Sequence, residues 1–322
     1  MMSLSWKSKI SLGIVHPMIY PKSRINVEKS YLLKTLKMLA TDVFFDVVDI
    51  TSYQTIDTST RAEIRDLLKS SGVEVVYNGG IPIIDKGLNL NSEDEEIRKN
   101  SIKQVKELID EAYFYNARIL YIASGCDTSV ENREKAKDKL IDSIKALCDY
   151  SYNKADTYSL CLALENLDRT VQLKRLIGPT KEAVEIARAV SSEYDNFGLV
   201  IDTSHLPLLN ETFQEAISLA AEYIVQIHFA NCINVKTHPY YGDRHPRFCI
   251  KDGEYNIMSV KEFLKNLEEA GYFKKSTPLT LPLISLETKP MENEDSEIVL
   301  ANEKRVFQNA WVQYQTEVDL LK

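Results

Sequence analysis

A (β/α)8 barrel is the fold class this sequence predicts, on three observations. Short apolar runs alternate with longer segments of helical period, eight such runs can be counted, and no Gly-x-Gly-x-x-Gly follows the first of them. The runs read as buried parallel strands, which are near-continuously hydrophobic because helices cover them. A doubly wound open sheet would use the same alternation. The strand count and the missing dinucleotide fingerprint favour closure.

In chain order the predicted strands are Ile10 to His16, Val43 to Ile50, Val73 to Asn78, Ile119 to Ser124, Ser159 to Glu165, Gly198 to Asp202, Ile224 to Phe229 and Leu283 to Glu287. Ahead of the fourth, residues 93–115 set Ile97, Ile102, Val105, Leu108, Ile109 and Ala112 three or four apart, the spacing of one helical face. Thr180, two residues before Glu182 and ahead of an Ala/Val/Ile run, is the expected N-cap of the helix after the fifth strand. Residues 231–256, after the seventh strand, form an insert longer than an ordinary βα connection. The tail after Glu287, with Trp311 and Tyr314, reads as the last helix. It packs either within the chain or against a second copy, which leaves a homo-oligomer open.

The 322 residues suit one barrel with an insert, and no internal repeat, low-complexity tract or Pro/Gly/Ser linker divides them, so one domain is expected over 1–322. No apolar run reaches the roughly 18 residues of a membrane span. The 39 Lys and Arg against 47 Asp and Glu give a net charge of −8, which argues against phosphate backbones and anionic membranes as partners. Cys126, Cys148, Cys161, Cys232 and Cys249 are odd in number and contain no Cys-x-x-Cys pair, which fits reduced thiols and a cytoplasmic location. The first nine residues carry charge but no apolar core of a secretory signal.

Four predicted strands end alike: Leu160 to Glu165, Gly198 to Asp202, Ile224 to His228 and Leu283 to Glu287. Each puts one potential ligand at a C-terminal edge, and in a (β/α)8 barrel those edges ring the mouth where active sites assemble. Singly, an acid at a strand end is an N-cap, an ion-pair partner or a solvated turn. Together, three carboxylates and an imidazole in one mouth repel without a cation, so Glu165, Asp202, His228 and Glu287 are read as ligands of one divalent ion. The oxygen-rich set suits Mn²⁺, Mg²⁺ or Co²⁺ and tolerates Zn²⁺. Such an ion can hold adjacent oxygens of a hydroxy-carbonyl compound and make its α-proton more acidic.

His205, three residues after Asp202, and Asp243-Arg244-His245 form a second group, read either as ligands of a second ion or as a substrate-hydroxyl site. Arg244 belongs to the same substrate-binding group. His16 lines the pocket or is a buried histidine with satisfied hydrogen bonds. Asn166 orients a carboxylate, meets the substrate or supports a turn. Arg169, Lys174 and Arg175 either reach an acidic substrate group or are solvated charge.

Leu164-Glu165-Asn166, Val200 to His205, Gln226-Ile227-His228 and Ser285-Leu286-Glu287 together resemble the xylose-isomerase-like superfamily, over about residues 10–290. That group includes sugar isomerases and epimerases, hydroxypyruvate isomerase, inosose dehydratase and endonuclease IV. Gly253-Glu254-Tyr255-Asn256 resembles the segment before the seventh helix in hydroxypyruvate isomerases, and Glu269 to Tyr272 ends that helix similarly. The resemblance implies that Glu165 and Glu287 bind the metal and move a proton between them, that Asp202 and His228 complete the coordination, and that His205 contacts a substrate oxygen. The implied activity is isomerisation or epimerisation of a small sugar, keto-sugar or polyol. β-Elimination by a lyase and a non-catalytic sugar-binding barrel are the alternatives. The third and fourth strands end in Asn78-Gly79-Gly80 and Ser124-Gly125, without the histidines of the endonuclease pattern, which speaks against a trinuclear zinc nuclease. The insert is expected to lie over the mouth as a lid, with Tyr240, Tyr241, Arg244 and Arg247 available to a sugar face or a neighbouring subunit.

Overall fold

A computed structural model of the protein describes residues 5–24, 27–53 and 56–320. The first four residues, part of the segment read for a secretory signal, lie outside that range. Eight parallel strands close on themselves in chain order. They are β1 (Ser11–Val15), β2 (Val47–Thr51), β3 (Glu74–Asn78), β4 (Ile119–Ala123), β5 (Cys161–Glu165), β6 (Phe197–Asp202), β7 (Ile224–Phe229) and β8 (Leu283–Leu286). The helices are α1 (His16–Ile19), α2 (Lys29–Ala40), α3 (Thr58–Ser71), α4 (Gly80–Asp85), α5 (Glu95–Phe114), α6 (Arg133–Lys154), α7 (Thr180–Ser191), α8 (Phe213–Ala220), α9 (Ile257–Glu269) and α10 (Ser296–Leu320). Among the described residues no helix is long and apolar enough to cross a membrane.

Two apolar layers follow from the two-residue period of a strand. Leu162 and Leu164 of β5, Leu199 and Ile201 of β6, and Ile284 and Leu286 of β8 face the helices. Their neighbours Cys161, Ala163, Val200 and Leu283 fill the barrel interior with Val47, Val76, Ile119 and Tyr121. Glu165, Asp202 and Glu287 continue that inward register at the strand ends, which is why they reach the mouth and not the helix layer.

Sequence and structure part at several boundaries. The second strand begins at Val47 and not Val43, because residues 42–45 turn, with Phe45 N–H bonded to Asp42 O, and leave Val43 exposed. Ile97 of the predicted helical face is half exposed; Asp94 caps that helix by accepting from Glu96 N and Ile97 N. Thr180 is the first residue of α7 and not its cap: Glu211 accepts both its N–H and its hydroxyl proton, so another element satisfies this end. Trp311 and Tyr314 are buried against Trp6, Phe273 and Phe307, which makes their role intramolecular.

The segment between β7 and α9 is closed at its neck. Asn231 Oδ1 accepts from Cys232 N and Tyr255 N, and its Nδ2 donates to Arg247 O. Gly253 permits the approach, since a Cβ there would lie 2.8 Å from Asn231 Nδ2. From α10, Glu303 accepts Phe248 N at 3.0 Å and Asn302 reaches Phe248 O, and just ahead of that helix Glu294 pairs with Arg247.

Burial raises the Glu303 carboxyl from its ordinary 4.5 to about 7, against hydrogen bonds from Phe248 N–H and Asn302 and the more distant Arg247 charge. A raised folded-state pKa means that its stabilising contribution is complete below about pH 4.5 and lost as pH rises through 7. Glu303→Gln keeps the acceptor oxygen and cannot ionise. It is expected to gain up to about 3 kcal/mol over wild type at pH 8 and little at pH 5. Tm measured at both pH values checks this, and a difference independent of pH would refute it.

Candidate metal centre

Glu165 ends β5, Asp202 ends β6, His228 is the penultimate residue of β7, and Glu287 follows β8. Strand register brings them to one end of the barrel: Glu165 pairs with Val200, two residues before Asp202, Asp202 pairs with His228, and His228 pairs with Ser285, two residues before Glu287. One ligand atom from each of the four lies within 4.8 Å of the other three, and all four residues are buried. The sequence expectation that these strand ends converge is met.

His228 Nδ1 stands 3.0 Å from Glu165 Oε1 and 2.8 Å from Glu287 Oε2. Burial alone would lower the imidazole pKa, but the Glu287 charge, the Asp49 carboxylate 3.8 Å away and hydrogen bonds to Glu165 and Glu287 raise it well above the ordinary value. Burial raises Asp202, against the pull of His205 and His245. Its Oδ2 has no hydrogen-bond partner among the described residues. A buried carboxylate oxygen without a donor is costly, and a cation on that face would satisfy it. The donor set, three carboxylates and a neutral imidazole nitrogen, could hold a divalent metal.

Beneath these four lies a polar group that sequence reading missed. Asp49 of β2 accepts from Gln226 Nε2 at 2.7 Å and from Ser285 Oγ at 2.9 Å, and the Gln226 amide lies 2.9 Å from His228 Nε2. Gly13 makes room for it: a Cβ there would be 2.4 Å from Ser285 Oγ. Tyr121 packs edge-on to the His228 ring, with centroids 4.9 Å apart. These contacts fix the ring with Nδ1 toward the carboxylates, the outer support that a ligating histidine needs. With Nδ1 on a cation, Nε2 would carry the proton on the side of the Asp49 carboxylate, whose Oδ2 lies 3.8 Å away. The only sequence signal for Asp49 is an acid at an inward position of an otherwise apolar strand.

Asp202, His205 and His245 form a second close group. Asp243 joins it, 2.8 Å from His245 Nε2 and 3.6 Å from His205 Nδ1, with Ser204 Oγ donating to the same oxygen. Against burial, the two histidines hold Asp243 below the usual carboxylate range. Burial opposes protonation of His245 and His205 as well, yet Asp243 first, among the acids, raises both.

A cavity of about 220 Å³ opens over both groups, lined among others by Glu165, Glu287, His205, Asp243, Arg244 and His245. His16 is not in its wall. It is fully buried, with Nε2 on Thr35 Oγ1 and Nδ1 on Tyr53 OH at 2.9 Å each, and burial lowers its pKa to about 3. The satisfied-core reading is therefore the one its geometry supports. Asn166 turns away too, its Nδ2 donating to Gly178 O at 2.9 Å to brace the loop after β5. Arg169 pairs with Glu182, and Arg175 packs beside Cys126. That loop instead gives Leu167, Gln172 and Leu173 to the cavity. Tyr240 and Tyr241 are absent from the lining, which removes the aromatic platform expected from the insert. Arg24, Asn78 and Lys289 line it without having been singled out in the sequence.

The family model described as xylose isomerase-like TIM barrel matches residues 38–300. An uncharacterized protein of Methanocaldococcus jannaschii, MJ1614, is 23% identical over 222 residues, 69% of this chain and 74% of that protein. Among solved structures, a D-tagatose 3-epimerase-like protein superposes with a TM-score of 0.70 at 17% identity, covering 96% of this chain and 100% of that one. The IOLI protein with a binding zinc atom gives 0.68 at 15%, covering 95% and 99%. D-psicose 3-epimerase with D-tagatose from Clostridium cellulolyticum H10 gives 0.65 at 15%, with the same coverage. At these identities the superpositions show a shared fold.

Proposed function

The chain belongs to the xylose isomerase-like TIM-barrel family, and from that premise we propose that it is a metal-dependent isomerase or epimerase of a small sugar-like substrate. The observation that carries the proposal is the buried convergence of Glu165, Asp202, His228 and Glu287, with the two glutamates flanking His228 Nδ1 and lining the cavity. Sugar epimerases among the similar folds support the substrate class.

Glu165, Asp202, His228 and Glu287 would hold the ion. When bound, it supplies positive charge next to a substrate carbonyl, which makes the neighbouring C–H more acidic. Glu165 and Glu287 approach the cavity from different strand ends, so one can take a proton while the other returns it. His205 donates to a substrate oxygen. Asp243 holds His245 at 2.8 Å and lies 3.6 Å from His205, so we assign this second group to hydroxyl binding. The insert over β7, fastened by Asn231 and Glu303, covers the mouth and limits water. Five free cysteines suit a cytoplasmic enzyme.

The test is incubation of metal-reconstituted protein with ketoses and aldoses in D2O, read by NMR and mass spectrometry. Deuterium entering one carbon of a product isomeric with the substrate is the expected result. Loss of water or of a carbon fragment would replace the proposal with a lyase, and binding without exchange would leave a sugar-binding barrel.

A further inference from the structure

Arg24, Arg244 and Lys289 line the same cavity as Glu165 and Glu287. They come from the connections after β1, β7 and β8, which are adjacent around the barrel. Lys289 N–H bonds to His245 O at 2.7 Å, tying two of these connections together. Arg24 is held by Asp85, with Nη2 at 2.9 and 3.1 Å from its two oxygens, while its enclosed Nε has no partner among the described residues. Among those residues neither Arg244 nor Lys289 has a carboxylate at ion-pair distance. Asp243, which faces Lys289, is already engaged by His245 and Ser204.

Arg244 and Lys289, with Arg24 already paired to Asp85 beside them, put two uncompensated positive charges on one wall of a small cavity in a chain whose net charge is −8. Like charges held together are unfavourable unless an anion joins them. Neutral hydroxyls need single donors and acceptors, whereas guanidinium and ammonium groups match phosphate and carboxylate oxygens. The buried acids on the floor would repel such a group, which puts it at the rim, away from the metal ligands.

We propose that the substrate bears an anionic substituent, a phosphate ester or a carboxylate, bound at the rim by Arg24, Arg244 and Lys289. This deepens the isomerase reading and rests on it.

Isothermal titration of the metal-loaded protein with D-fructose, D-fructose 6-phosphate, D-gluconate and inorganic phosphate tests the site without turnover. At least one anionic sugar is expected to bind about tenfold tighter than D-fructose, and Lys289→Gln or Arg244→Gln to erase most of that preference. A greater preference for the phosphate identifies an ester, and for gluconate a chain-end carboxylate. Equal or tighter binding of D-fructose overturns the proposal. So does an anion preference unchanged in both variants, which would place the anion on the metal. Deuterium exchange into neutral sugars without anion preference removes this site alone. Anion binding that depends on Lys289, in a protein that exchanges no sugar, supports the site and removes the isomerase.

Discussion

Protein purified without chelator and carrying Asp202→Ala or His228→Ala is expected to hold little metal, where wild type holds about one ion per chain. Elemental mass spectrometry gives the ratio directly. The two variants remove different things. Asp202 is fully buried, its Oδ1 takes Ser204 N–H, and its Oδ2 has no donor, so its loss deletes a ligand prepared for charge. His228 is the one nitrogen donor of the four and is held by Gln226, Asp49 and Tyr121. Its loss leaves Glu165 and Glu287 facing each other without a positive partner. A second readout separates lost binding from lost fold: metal at a hundredfold excess over Kd should stabilise wild type by about 2.7 kcal/mol and neither variant. If wild type takes up no Mn, Co, Mg or Zn even on reconstitution, the mouth has been misassigned.

The strand ends were legible in the sequence because a parallel barrel turns a local regularity into a shared location. An apolar run ending in Glu165, Asp202, His228 or Glu287 says little alone, but closure sets all four ends on one ring. The two-residue period then points each of them inward with Ala163, Val200, Gln226 and Ser285. What stayed hidden depends on partners far away in sequence. His16 also stands at a strand end, but it continues the outward register of Leu12 and Ile14 and meets Thr35 and Tyr53 on the helix side. Asp49 looks like a polar interruption of β2 until Gln226 and Ser285, 177 and 236 residues later, close on it. Lys289 sits in a connection whose shape no periodicity encodes and faces the cavity, while Arg169, also a cation on a connection, is neutralised by Glu182. Side chains on connections must find partners in three dimensions before they have a role.

Glu165→Gln and Glu287→Gln are each expected to lower turnover by about 10²–10⁴-fold, the range for a displaced general acid or base. Gln keeps the side-chain length and one acceptor oxygen but cannot take up or return a proton. Each change also removes a charged ligand, so turnover has to be expressed per bound ion. A fall that survives this correction is loss of proton transfer. The double variant should lose little beyond the worse single one, because groups that pass one proton between them act as a unit. Deuterium exchange separates their roles. An epimerase lacking the base on one face can still exchange the epimer whose proton faces the remaining glutamate, so each variant should label one epimer and not the other, in opposite senses. Identical loss of exchange in both variants would mean that one glutamate serves both faces. Unchanged turnover in both would take the proton transfer away from this pair altogether.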